Sequence, residues 1–159
     1  MKYCFKSSSN SRSKNGFTLL ELMVVVAIVS TLLVWSFRGL FIAKENLDLN
    51  MAAQQLAATL KECQSYAMFT GSDCKVEFYP SINRYRVFCD YDVIKDVQLG
   101  NIILNYTNFT SGRVRFYRMG TPSMGGTVAL KTKHGKTLYV IMTPVTARVR
   151  ISSSPPANW

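Results

Sequence analysis

Four cysteines, one histidine, a group of acids and two pairs of arginines are the side chains in this sequence that could do chemistry. The cysteines are Cys4, Cys63, Cys74 and Cys89, and the one histidine is His134. Their spacings are not those of a zinc ligand set, and a single imidazole in the turn Lys133-His134-Gly135-Lys136 reads as a solvated turn residue. No metal or cofactor is expected. Asp90, Asp92 and Asp96 form a small acidic cluster after Cys89. Such a cluster can hold calcium, but a solvated loop is the simpler reading. The sequence has no Gly-rich phosphate loop, paired histidines or nucleophile elbow, so it reads as a non-enzyme. The basic residues carry more. Arg148 and Arg150 are two apart, as are Arg113 and Arg115, and Lys131, Lys133 and Lys136 cluster at one hairpin end. Residues two apart on a strand share a face, so each arginine pair can grip successive phosphates. The same pattern also marks the solvent face of any half-buried strand, and no aromatic residues clearly interleave with it for base stacking.

These groups need a scaffold and a location, and the N-terminus supplies the location. The 159-residue chain has a formal net charge of +10 and is 48% hydrophobic, which suits one domain plus an anchor. Lys2, Lys6, Arg12 and Lys14 lie in the first sixteen residues with no acid among them, leaving +6 on the rest. A moderately basic remainder is compatible with an acidic partner. From Phe17 to Phe37 the sequence reads FTLLELMVVVAIVSTLLVWSF, with Glu21 as its one charge. As a helix this run spans about 31 Å, the thickness of a bilayer core. Arg38 and Lys44 mark its far interface, with Trp35 as an interfacial aromatic, and the basic leader favours a cytoplasmic N-terminus with the C-terminus outward. An ordinary secretory signal would carry a small-residue cleavage site after the apolar run, and none follows Phe37. Glu21 near the start of a membrane helix is costly, so it calls for a partner or a function.

Beyond the apolar run, Leu49, Ala53, Leu56, Leu60, Cys63 and Ala67 recur every three or four residues. This is the buried stripe of an amphipathic helix, with polar residues opposite. No proline falls between 17 and 69, so one long helix is expected, ending near Thr70-Gly71. The remainder reads as antiparallel strands at 75–79, 84–89, 101–107, 112–118, 127–132, 137–143 and 146–151. Pairing the first two places Val76 opposite Val87, Phe78 opposite Tyr85 and Glu77 opposite Arg86. That register also sets Cys74 against Cys89, which favours a Cys74–Cys89 disulfide in an exported domain. Cys63 then fits the helix stripe as a small hydrophobe, and a bridge from Cys63 to Cys74 or Cys89 is the alternative. The fold class is α+β, a long helix on antiparallel sheet. Its parts are a basic leader (1–16), a membrane helix (17–37), a continuing amphipathic helix (38–70) and a β-rich domain (71–159).

The junction Gly16-Phe17-Thr18-Leu19-Leu20-Glu21, behind a basic leader and before a long apolar run, resembles the processing site of type IV prepilins and type II secretion pseudopilins. The resemblance implies cleavage between Gly16 and Phe17 by a prepilin peptidase, N-methylation of Phe17, and a pilin fold. It also implies that Glu21 pairs with the α-amine of a neighbouring subunit's Phe17, so that two costly charges neutralise each other in a filament. The C-terminal half is similar to the FimT/GspH family of minor pilins and pseudopilins. That similarity runs through Val114-Arg115-Phe116-Tyr117-Arg118-Met119-Gly120, the Gly125-Gly126 turn, the strand 137–143 and the strand Thr146-Ala147-Arg148-Val149-Arg150-Ile151. Members acting in natural transformation bind DNA through a C-terminal Gly-Arg-x-Arg. Here the place reads Ala147-Arg148-Val149-Arg150, with both arginines but not the glycine. A literal Gly-Arg-x-Arg occurs earlier, at Gly112-Arg113-Val114-Arg115. The resemblance therefore implies a minor pilin of the inner membrane and pilus that binds double-stranded DNA through Arg148 and Arg150. Arg113, Arg115 and the lysines 131, 133 and 136 would assist. The alternative it implies is a structural minor pilin or type II secretion pseudopilin with protein partners only.

Overall fold

The computed structural model describes residues 17–156, without the side chains of 35–38. The leader 1–16, with Cys4 and Gly16, and the side chains of Trp35 and Arg38 lie outside the described residues. The chain divides into two compact units, residues 1–39 and 40–159.

One helix, α1, is assigned over Leu19–Thr70. It begins where Thr18 offers both its backbone and its side chain. The Leu22 N–H donates to the Thr18 carbonyl at 3.2 Å, and the Glu21 N–H donates to Thr18 Oγ1, also at 3.2 Å. Thr18 is thus an N-cap, and Glu21 stands at the third helical position, where an acid also complements the helix dipole. In the N-terminal unit every side chain from Phe17 to Val34 is exposed. Of the three hydroxyls of that run, that of Thr18 serves as the cap, while Ser30 donates to the Val26 carbonyl and Thr31 to the Ile28 carbonyl, both at 2.7 Å. This leaves an apolar surface with little to offer water, and the helix is long and apolar enough to cross a membrane.

In the C-terminal unit, α1 buries the expected stripe: Leu49, Ala53, Leu56, Leu60, Cys63 and Ala67 are all 2% exposed or less. Among the described residues the same unit holds eight strands, β1 (Cys74–Tyr79), β2 (Arg84–Cys89), β3 (Asp92–Gln98), β4 (Ile103–Thr107), β5 (Arg113–Phe116), β6 (Gly126–Lys131), β7 (Thr137–Met142) and β8 (Val149–Ser152). They form two antiparallel four-stranded sheets, in the orders β3-β2-β1-β5 and β4-β6-β7-β8. The β1–β2 register is Val76↔Val87, Glu77↔Arg86, Phe78↔Tyr85 and Cys74↔Cys89. Val76, Phe78, Tyr85, Val87 and Val114 of the first sheet and Val128, Leu130 and Val140 of the second join the helix stripe in one core. Cys74 and Cys89 are disulfide-bonded and Cys63 is a buried free thiol.

The strand β3 was not expected from the sequence. Asp92-Val93-Ile94-Lys95-Asp96-Val97-Gln98 lacks clean alternation because β3 is an edge strand with five of its seven residues exposed. Asp96 is no loop residue; it accepts from Arg86 Nε at 3.0 Å and lies 3.4 Å from Arg84 Nε. The last strand is also shorter than expected, because residues 143–148 are a turn whose backbone leaves the extended region. Gly125-Gly126 is not a turn either. Gly126 opens β6, and an added Cβ there would lie 2.4 Å from the Phe109 ring, so glycine is needed for close packing.

Candidate functional site

The two arginine pairs have the same local construction. Arg113 and Arg115 stand on β5, exposed, with Val114 and Phe116 between and beyond them buried. The residue before Arg113 is Gly112, at φ 61°. Arg150 is exposed on β8 and Arg148 is exposed just ahead of that strand. The residue before Arg148 is Ala147, at φ 51°. Both Arg-x-Arg segments are therefore entered through a residue in the left-handed region. The alanine standing where the related motif has glycine keeps the backbone class that glycine would favour, and it is 3% exposed. The turn that carries Arg148 is tied across its mouth. Thr143 donates to the Arg148 carbonyl from its backbone N–H at 3.0 Å and from its hydroxyl at 3.3 Å.

A short segment joins the two pairs. Pro122 bridges to Phe116 beside β5, and the Ser123 N–H donates to the Arg115 carbonyl at 2.7 Å. Two residues on, Gly125 lies so close to Pro144 that a Cβ would stand 2.5 Å from its ring. Residues 122–125 thus run from the Arg113/Arg115 strand to the turn of Arg148. The lysines lie elsewhere. Lys131 pairs with Thr137 at one end of the β6–β7 ladder, while Gly126 pairs with Met142 at the other. The turn holding Lys133 and Lys136 and the turn holding Arg148 therefore cap opposite ends of the second sheet. At about 3.3 Å per residue the ladder separates them by roughly 17–20 Å. The structure brings the arginine pairs into one neighbourhood and sets the lysine turn apart.

Charge is distributed unevenly over these groups. Arg84, Arg86, Lys75 and Lys95 are in ion pairs with Asp96, Glu77 and Glu62. Among the described residues, Arg113, Arg115, Arg148, Arg150, Lys131, Lys133 and Lys136 are in none of the ion pairs formed. Sequence reasoning also missed part of the surface. Lys75, Arg113 and Arg115 share a cleft of about 320 Å³ with Tyr117 and Ser123. On the other side of Lys75, Phe88, Tyr91, Arg115 and Arg118 line a second cleft of about 260 Å³. The Lys75 ammonium sits 4.4 Å above the Phe88 ring, and Tyr91 is wholly exposed. Aromatic rings do interleave with the basic residues here; the signal was the Arg113↔Glu77 and Arg115↔Lys75 pairing that brings β5 beside β1. Acids share this face: Asp73 and Asp90 line the second cleft, and beside Arg113 stands Glu77. It accepts from the Tyr79 hydroxyl at 2.6 Å and from Lys75 at 3.0 Å. Those bonds, the Tyr79 one first, hold its carboxyl below the ordinary range, with a smaller contribution from Arg113.

His134 is not simply solvated. Its Nδ1 is hydrogen-bonded to the carboxylate of Glu45 on α1. Among the described residues no three His, Cys, Asp or Glu side chains are placed to hold a metal.

The prokaryotic N-terminal methylation motif matches residues 11–37. The minor pseudopilin EpsH from the Type 2 Secretion System of Vibrio cholerae is structurally similar with a TM-score of 0.56, at 14% identity, over 66% of this chain and 96% of that one. The type IV minor pilin FimU of Pseudomonas aeruginosa is similar with a TM-score of 0.58, at 14% identity, over 71% of this chain and 96% of that one. In motif and in fold, the chain is type IV pilin-like. No curated protein matches its sequence. The pilin-like fold accounts for the division of labour along α1, whose N-terminal part offers an apolar surface while its later part carries a sheet domain. It leaves the arginine-lined end of that domain as the surface where the chain's own chemistry is most pronounced.

Proposed function

We propose that this pilin-like chain is a FimT-like minor type IV pilin whose outward domain binds double-stranded DNA non-specifically for uptake in natural transformation. The peptidase cuts between Gly16 and Phe17 and Phe17 is methylated. The apolar helix holds the chain in the inner membrane with its C-terminus outward, until it joins other pilins in a filament. There the Glu21 carboxylate meets a neighbour's Phe17 amine. The observation that carries the DNA reading is the pair of exposed Arg-x-Arg segments, free of ion pairs among the described residues and joined through residues 122–125. Guanidinium groups so placed reach phosphates in bidentate fashion, and phosphate contacts hold DNA without reading its sequence. The test is DNA binding by the chain with Arg148 and Arg150 replaced by glutamine, at several salt concentrations.

A second reading is favoured by one observation, the likeness to EpsH, a pseudopilin of a secretion system. On that reading the chain is a structural minor pilin or pseudopilin with protein partners only. The same experiment separates the two, since this subunit would show no salt-sensitive DNA binding.

A further inference from the structure

The lysine turn is left without a role once the arginines are grouped at the other end of the sheet. Lys133 and Lys136 are exposed, Lys131 is half-buried, and Lys44 on α1 is exposed. Glu45, the residue after Lys44, is the one that holds His134. The clasp therefore draws the lysine turn onto the stretch of α1 that carries Lys44. Thr132 braces the turn from inside, accepting from the Lys136 N–H on its side-chain oxygen at 3.2 Å and donating its own N–H to the Lys136 carbonyl at 2.9 Å. The turn is a shaped, anchored basic knob.

Its place along the chain gives it a neighbour. Gly39 ends the unit that carries the apolar run, and Glu45 follows six residues later. Whatever the course of the backbone, six residues span at most about 21 Å. A turn clasped to Glu45 is thus tethered close to the point where the chain leaves a bilayer. Anionic headgroups act over about one Debye length, about 8 Å in physiological salt, and each lysine held in that layer favours surface contact about five-fold.

We infer that Lys133 and Lys136, with Lys44 and Lys131 behind them, form a contact site for the phosphates of anionic lipid headgroups on the C-terminal side of the apolar helix. The inference rests on the membrane-spanning reading of that helix. The clasp between His134 and Glu45 positions the knob, and the lysines make the contact. The site orients the sheet domain on the bilayer before the chain enters a filament.

The experiment uses the whole mature chain in nanodiscs of phosphatidylcholine alone or of phosphatidylcholine with phosphatidylglycerol. Acetylation of each lysine is followed by mass spectrometry. Lys133 and Lys136 should acetylate several-fold more slowly in the anionic discs, with the difference erased by high salt. Lys61, on the exposed face of α1, should react alike in both. Lys133→Gln should lessen the protection of Lys136, and His134→Gln should lessen it for both lysines. Equal rates in the two lipids, with the chain inserted, would overturn the inference while leaving the span intact. Failure to insert into either disc would overturn the span reading and the inference together. Protection that appears only when DNA is added would also overturn it, and would return the lysine turn to the DNA surface.

Discussion

Ala147 and Gly112 occupy the same left-handed region of backbone space, at φ 51° and 61°, and each stands immediately before an Arg-x-Arg segment. The alanine before Arg148 therefore takes the same backbone class as the glycine before Arg113. The hydrogen bonds from Thr143 to the Arg148 carbonyl hold the turn shut despite the cost of placing a Cβ there.

Replacing Ala147 tests this directly. Glycine relieves about 1–2 kcal/mol of left-handed strain but gives up about 0.8 kcal/mol of methyl burial and some backbone entropy. Ala147→Gly should therefore change stability by less than about 1 kcal/mol in either direction, and leave DNA binding intact. Ala147→Val adds a branched side chain at positive φ in a buried site, and should cost about 2 kcal/mol or more. Urea titration of both variants checks the contrast.

The cysteines give a second prediction. Peptide mapping without reduction should show Cys74 joined to Cys89 and Cys63 free. Replacing the bonded pair by alanine should cost about 3 kcal/mol for a closed loop of this length. Burial, with Glu62 nearby, pushes the Cys63 thiol up to about 12. Cys63 should resist alkylation at neutral pH in the folded chain and react on unfolding. A Cys63 label formed at the rate of an open thiol would contradict its place in the core.

What the sequence made legible follows its physical signals. The stripe from Leu49 to Ala67 and the Val76/Val87 register were readable because burial imposes helical and alternating periods. The edge strand β3 was not, because with most of its residues exposed it has no apolar period to show. The Arg148–Arg150 segment was readable as a basic pair, but not its backbone. An alanine at positive φ has no sequence signature, and the tie from Thr143 is a contact across a turn. The grouping of Arg113 and Arg115 with the turn of Arg148, and the clasp of His134 on Glu45, depend on long-range topology. Local pattern cannot supply that.

Acid should weaken the sheet through Glu77. Its carboxyl is held below the ordinary value of 4.5 by the Tyr79 hydroxyl and Lys75. A group whose folded value is depressed adds stability that is present above the unfolded value and lost as pH falls through the folded one. Stability should therefore be flat in this respect near neutrality and decline below about pH 4.5. Glu77→Gln should lower stability at pH 7 and shallow that acid decline, as read by thermal melts at a series of pH values.

The N-terminus carries its own test. Intact mass of the membrane-extracted chain should show loss of residues 1–16 and one added methyl on Phe17. Glu21→Val leaves the Thr18 cap in place, because the capped group is the backbone N–H of residue 21. The helix should form and insert as before, while incorporation into filaments drops. Normal assembly of this variant would contradict the charge-pair role of Glu21.

The claim that decides function is that the arginines hold DNA. The measurement is fluorescence anisotropy of labelled double-stranded DNA with the mature chain in zwitterionic detergent, across a salt series. The account predicts modest affinity, the same for different sequences of equal length, falling with salt at a slope of about −0.9 per phosphate contacted. Arg148→Gln with Arg150→Gln should remove most of the binding, and lysine at both positions should retain part of it. Binding by the double glutamine chain equal to that of the parent, or no salt-sensitive binding by the parent at micromolar concentration, would contradict the account.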